Sequence, residues 1–154
     1  MTKTPVVMTG ADTIATSTLR IDTPRAGFFD ITRDARVFLR EARAGTGALT
    51  LFVRHTSASL TIQENADPDV LADLMKVLDR LAPEDGGWRH HSEGPDDMPA
   101  HIKSMLTSCS LQIPVIDGVP VLGTWQGIYL IEHRARPHRR EIVLQYIGGA
   151  AASS

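Results

Sequence analysis

Alternation of apolar and polar side chains, the mark of a strand with one face in a core, recurs along this chain of 154 residues. ALTLFVR at 48–54 places Leu49, Leu51 and Val53, followed by His55, on one face and Thr50, Phe52 and Arg54 on the other. SASLTIQ at 57–63 sets Ala58, Leu60 and Ile62 against Ser57, Ser59 and Thr61. TIATSTLRID at 13–22 is rich in β-branched residues and predicts a first strand. SLQIPVI, then Asp117-Gly118, then VPVLGT predicts a hairpin, because Asp-Gly accepts the positive φ angles of a tight turn. Two further strands are expected over 125–133 and 139–147. In the first of these the row from Gln126 through Ile128 and Leu130 turns Glu132 toward the core, while His133 falls with Tyr129 and Ile131.

Helical spacing interrupts this pattern three times. Ile31, Ala35, Phe38 and Ala42 form a stripe with Asp30 as cap and Gly45 as stop, leaving Arg33, Arg36, Arg40 and Arg43 as a solvated face. Asp67 before Pro68 opens a helix whose stripe is Val70, Leu74, Val77, Leu78 and Leu81. A shorter helix near Pro99 carries Met98, Ile102, Met105 and Leu106, with His101 in its first turn. Helices interrupting a largely antiparallel strand set predict an α+β fold. One compact domain is expected over 1–148, with a frayed tail at 149–154.

Composition narrows the function classes. A formal charge of -2 gives no general electrostatic reason to bind nucleic acid or an anionic membrane. Cys109 is the single cysteine, which excludes an intrachain disulfide and a Cys-x-x-Cys metal site and suits a reducing compartment. MTKTPVVMTG lacks the basic and apolar segments of a secretory leader, and no run of about 18 apolar residues occurs. The expectation is a soluble, cytoplasmic protein with neither a nucleic-acid nor a membrane partner.

Residues 90–101, HHSEGPDDMPAH, concentrate His90, His91, His101, Glu93, Asp96 and Asp97 around Gly94 and Pro95. Imidazole suits zinc, carboxylate suits magnesium and manganese, and three mixed ligands leave room for water or substrate. Alternatively Pro-Asp-Asp caps the short helix and the histidines titrate in solvent. His55 has two readings as well, a ligand or an edge-of-core histidine bonded to backbone. The hydroxyls of Thr56, Ser57 and Ser59 can hold a phosphate or simply belong to a strand. No Gly-x-Ser-x-Gly elbow supports a serine nucleophile.

Three segments together, RHTSASLTIQENADPDV at 54–70, HHSEGPDDMPAHIKSML at 90–106 and VLGTWQGIYLIEHR at 121–134, resemble the YjbQ family, also called secondary thiamine-phosphate synthase. The resemblance implies an α+β homotrimer with pockets near subunit boundaries. It also implies weak joining of a pyrimidine diphosphate to a thiazole phosphate with release of pyrophosphate. The family's recurring polar positions fall here on His55, Thr56, Ser57, Glu64, Asn65, Asp67, His90, Glu93, Gly94, His101, Gly123, Thr124, Trp125, Gln126 and Glu132.

On that basis His55, His90 and His101 are expected to hold a divalent ion, magnesium or zinc, with His90 rather than His91 pointing inward. Glu64, Glu93 and Glu132 are the expected acid/base residues. Thr56, Ser57, Asn65, Asp67, Thr124, Trp125 and Gln126 are expected to bind a small phosphate substrate. Glu132 also admits a structural role, paired with Arg134 or Arg140. A metal-dependent hydrolase of a small phosphate or amide, and a non-catalytic ligand-binding trimer, are the competing readings.

Overall fold

The computed structural model describes residues 2–151. Eight strands and three helices follow in the order β1 (Thr13–Thr23), β2 (Gly27–Asp30), α1 (Thr32–Glu41), β3 (Ala44–Val53), β4 (Ala58–Glu64), α2 (Pro68–Leu81), α3 (Asp97–Leu106), β5 (Ser110–Ile116), β6 (Val119–Pro120), β7 (Gln126–Glu132) and β8 (His138–Ala150). They form two antiparallel sheets, one ordered β1-β8-β3-β5-β6 and the other β2-β7-β4. The α+β expectation is met.

The alternating rows build the core. Leu49, Leu51 and Val53 are at most 1% exposed, whereas Phe52, one residue out of register, is 47% exposed. They pack with Ile113, Ile142, Leu144 and Tyr146 of the same sheet, with Leu60, Ile128 and Leu130 of the other, and with Ala35, Phe38 and Leu39 of α1. The Asp117-Gly118 turn takes φ of 49° and 76°, as a two-residue hairpin loop requires.

Several boundaries differ from the sequence reading. Asp30 accepts a hydrogen bond from the Thr32 amide at 2.8 Å, but Ile31 holds the cap position of α1. The helix ends before Arg43, whose φ is 48°. Gly45, expected as the stop, lies within β3, where a Cβ would meet the Ala150 carbonyl oxygen at 2.7 Å. The strand expected over 119–124 is only two residues long. β8 runs to Ala150, so Gly149 and Ala150 belong to the sheet rather than to a tail; residues 152–154 lie outside the described residues.

The largest departure is α2. Asp67 caps it by accepting from the Asp69 amide at 2.9 Å. Yet none of its residues is fully buried, and Val77 and Leu81 are 45% and 60% exposed. Its apolar stripe is real but only half covered.

Candidate metal centre

His90, Asp97 and His101 converge. Gly94, at φ 115°, reverses the chain between His90 and α3, with the Gly94 amide donating to His91 O and the Asp97 amide to Gly94 O. Asp97 and His101 then share one face of α3, four residues apart. His90 Nε2 lies 2.6 Å from Asp97 Oδ2, and His101 Nε2 lies 3.6 Å from the same oxygen. One ligand atom from each of the three residues fits within 4.8 Å of the other two.

Orientation comes from behind the cluster. His101 Nδ1 is 2.9 Å from the Thr56 carbonyl oxygen, and since a carbonyl can only accept, Nδ1 carries the proton. His101 Nε2 is thus the ring nitrogen on the Asp97 side, and a metal-ligating histidine is commonly held in this way, by its other ring nitrogen on a carbonyl. Asp97 is 2% exposed, and its other oxygen, Oδ1, receives Arg134 Nη1. Arg134 also donates through Nε to Asp96 Oδ2 at 3.1 Å and through Nη2 to Glu93 O at 2.8 Å. Burial opposes ionisation of Asp96, but the Ala135 amide and the Arg134 guanidinium outweigh it and hold that carboxyl below its ordinary range. Asp96 thus serves Arg134 and makes no side-chain cap on α3.

This donor set fits a divalent ion. Two donors bound tetrahedrally to zinc at about 2.0–2.1 Å lie about 3.4 Å apart, close to the separation of His101 Nε2 and Asp97 Oδ2. His90 is closer because it shares a proton with Asp97, and its half-exposed ring has to swing slightly to admit an ion. Three protein ligands would leave a bound zinc one position for water or substrate.

The cluster differs from the expected set in one member. His55 Nε2 accepts from the Glu141 amide at 2.9 Å; burial first, and then Arg140, hold its pKa below the usual histidine value. It is the backbone-bonded edge histidine, and Asp97 takes the place expected for it. His91 is exposed and outside the cluster. Asp97 stood in the sequence as a possible oxygen donor. Arg134, which fixes Asp97, carried no local signal as such.

Glu132 does not share this centre. Its carboxylate is 0% exposed and receives Arg140 Nε and Nη2 at 2.6 Å each, Thr23 Oγ1 at 2.7 Å and the Arg134 amide at 2.9 Å. Burial works against its charge, and these donors together bring its pKa below the ordinary glutamate value. The arginine pairing expected of a structural role is present, with Arg140 as partner. Ser57 is tied to the same arginine, its Oγ accepting Arg140 Nη2 at 3.0 Å. Thr56 offers the centre its carbonyl, while Glu93 reaches the assembly through its carbonyl, bonded to Arg134.

The remaining expected residues lie elsewhere. A groove of about 430 Å³ is lined by Glu64, Trp125 and Gln126 together with Ile62, Gln63 and Ala66. Asn65 borders it, its amide donating to Trp125 O at 3.1 Å, and Gln126 Oε1 accepts from Gly123 N, closing the loop that contains Thr124. Asp67 is the α2 cap. In β4 and β7, Ala58 pairs with Glu132 at one end and Glu64 with Gln126 at the other. Six residues of strand separate these ends by about 20 Å, so the groove and the histidine cluster are distinct places on one chain.

A family model described as UPF0047 protein YjbQ-like matches residues 17–149. A UPF0047 protein of Synechocystis is 61% identical over 104 residues, covering 67% of this chain and 71% of its own length. The UPF0047 protein YjbQ of Escherichia coli is 42% identical over 127 residues, covering 82% and 92%. Among solved structures, a hypothetical protein from Aeropyrum pernix superposes with a TM-score of 0.81 at 28% identity, covering 88% of this chain and 99% of that one. A conserved hypothetical protein from Thermus thermophilus gives 0.74 at 40% identity, covering 82% and 97%. No helix of the described residues is long and apolar enough to cross a membrane. With the family model spanning most of the sequence and two relatives of 61% and 42% identity beside it, the chain belongs to the YjbQ-like UPF0047 family.

Proposed function

We propose that the chain is a metal-dependent transferase acting on small phosphate substrates, joining a pyrimidine diphosphate to a thiazole phosphate with release of pyrophosphate. The observation that carries the metal-dependent part is the convergence of His90, Asp97 and His101. With Nδ1 donating to Thr56 O, Nε2 faces the Asp97 carboxylate at 3.6 Å beside His90, and one ligand atom from each of the three lies within 4.8 Å of the other two, a spacing that suits one divalent ion. Two imidazoles to one carboxylate favour zinc over magnesium. The reaction itself is proposed on the family resemblance.

A divalent ion held by His90, Asp97 and His101 would supply neutralisation of the charge on the leaving pyrophosphate as the bond from the pyrimidine's methylene carbon to the diphosphate oxygen breaks. The chain's own groups do the rest. Arg134 occupies Oδ1 of Asp97 and leaves Oδ2 on the side of the histidines, so Asp97 would offer an ion one oxygen. The Thr56 and Ser57 region borders the centre through the backbone that holds His101. Trp125, Glu64 and Gln126 offer an aromatic face and polar groups for a heteroaromatic ring, but at the far end of the sheet. Contacts in a cyclic homotrimer are head-to-tail, and we propose that such a contact brings that groove of one chain to the histidines of the next, so that both would serve one substrate pair.

The test is thiamine phosphate formation by zinc-loaded and chelator-treated protein supplied with both substrates, with light scattering run on the same sample. Product above the chelated control and a mass about three times 16.8 kDa are expected. Equal product in both, or none in either, sinks the transferase reading. Hydrolysis of a generic phosphoester in place of synthesis replaces it with a hydrolase.

A further inference from the structure

The five-stranded sheet has a second face. Its inward positions build the core with α1 and the other sheet, and the alternate positions of β1, β8, β3 and β5 look the other way. One apolar row crosses this outer face from edge to edge. Ile14 of β1 pairs with Ile147 of β8, Ile147 with Ala48 of β3, and Ala48 with Pro114 of β5. Just past β6 the Val121 amide donates to Pro114 O at 2.8 Å and completes the row. Ile14, Ile147 and Val121 are 71%, 45% and 51% exposed. Ile116 and Val119, paired with each other and also exposed, widen it toward the hairpin turn. A sheet face that only meets water is polar at such positions, so a continuous apolar row marks a contact surface.

Size and chemistry say what fits there. Five strands about 4.8 Å apart make the row about 19 Å wide, and the ten residues of β3 run about 33 Å. The face therefore offers on the order of 600 Å², within the range of about 600–1,000 Å² that each partner of a specific association contributes. The chain's own amino-terminal arm is too small for it: Val6, Val7 and Met8 stand exposed, and three extended residues span only about 10 Å, half the row. The polar part of the face suits a copy of itself. Thr16, Gln145, Thr50 and Gln112 form the adjacent row, and hydroxyls and amides both donate and accept. Farther along, Arg20 and Arg54 pair with Glu141, and Arg139 with Asp22. These charges are met within the sheet, which leaves no large excess of one sign to repel a second copy.

We propose that this outer face is an interface between copies of the chain, the apolar row of one covered by another. Such an interface gives the self-association of the trimeric reading a surface, and it needs neither the metal nor the transferase chemistry.

The test is light scattering on full-length protein at about 10 μM, above the micromolar limit for associations of this size. Wild type is run beside Ile147→Glu, Val121→Glu and a control on the half-covered α2, Val77→Glu. A carboxylate forced into the covered row should weaken association by at least about 100-fold, so Ile147→Glu and Val121→Glu should fall toward the single-chain mass of 16.8 kDa while wild type and Val77→Glu hold several copies. Both positions are exposed in the single chain, so circular dichroism should still report folded protein; if Ile147→Glu does not fold, Val121→Glu reads the same effect. Several copies in wild type with no loss of mass in the folded row variants overturns the interface and leaves the trimeric reading standing. An equal loss in Val77→Glu overturns it as well. A monomeric wild type overturns both, and if deletion of residues 1–9 then opens the row to a hydrophobic dye, the arm is its occupant.

Discussion

Glu132 and Arg140 form two hydrogen bonds of 2.6 Å while exposing no more than 4% of either side chain. Such a fork matches the planar guanidinium to the carboxylate, and with Thr23 and the Arg134 amide it satisfies both oxygens. Removing one partner leaves the other buried and uncompensated, which costs about 3–5 kcal/mol. Glu132→Gln and Arg140→Met should each lower the melting temperature sharply, and neither should remove the zinc site of protein that remains folded. Differential scanning calorimetry with zinc titration checks both; an unchanged melting temperature would contradict this account.

The same pair makes stability acid-sensitive. The folded pKa of Glu132 is depressed below its ordinary 4.5, so its contribution is present above that value and is lost as pH falls toward the folded pKa. Below about pH 4.5 the wild-type denaturation midpoint should fall more steeply than that of Glu132→Gln. Parallel curves would show that the carboxylate is not the group responsible.

His133 acts at higher pH. An unfolded histidine takes up its proton near 6.5, whereas the folded one does so near 4. Between these values the unfolded chain binds more protons, so stability falls as pH drops, by about 3 kcal/mol in all. Urea midpoints measured from pH 7 to 4 should show this loss, and His133→Gln should flatten it.

At the proposed metal centre, Asp97→Asn and His101→Ala should each weaken zinc binding by more than about tenfold, because each removes a proposed ligand. His55→Ala should leave zinc affinity unchanged and cost about 1 kcal/mol of stability, one hydrogen bond to the Glu141 amide. Competition with a chromophoric chelator reads the first effect and thermal melts the second. Loss of zinc in His55→Ala would restore the ligand set expected from sequence.

Arg134→Lys keeps a positive charge but cannot reproduce the fork to Asp96 and Asp97. Since residues behind metal ligands influence affinity by about 10–100-fold, it should weaken zinc measurably with His90 and His101 intact. Affinity equal to wild type would make Arg134 a purely structural residue.

The chain's local patterns determined its elements. Alternation located β3, β4 and β7 and their buried rows, Asp67-Pro68 opened α2, Asp117-Gly118 turned the hairpin, and the spacing from His90 to His101 around Gly94 brought two histidines together. All of these depend on residues a few positions apart, where side-chain period and backbone preference act. Tertiary structure decided what each polar group faces. His55 ends an apolar row that points inward, yet the Glu141 amide, 86 residues on, claims it. Arg134, 37 residues away, turns Asp97 into the third member of the cluster. Seven residues of β4 carry Glu64 and its groove away from the histidines, although both belong to segments read together in sequence. The physical reason is the same in each case: a buried charge or lone pair must be met by whichever group the sheets bring beside it, and sequence spacing does not contain that neighbour.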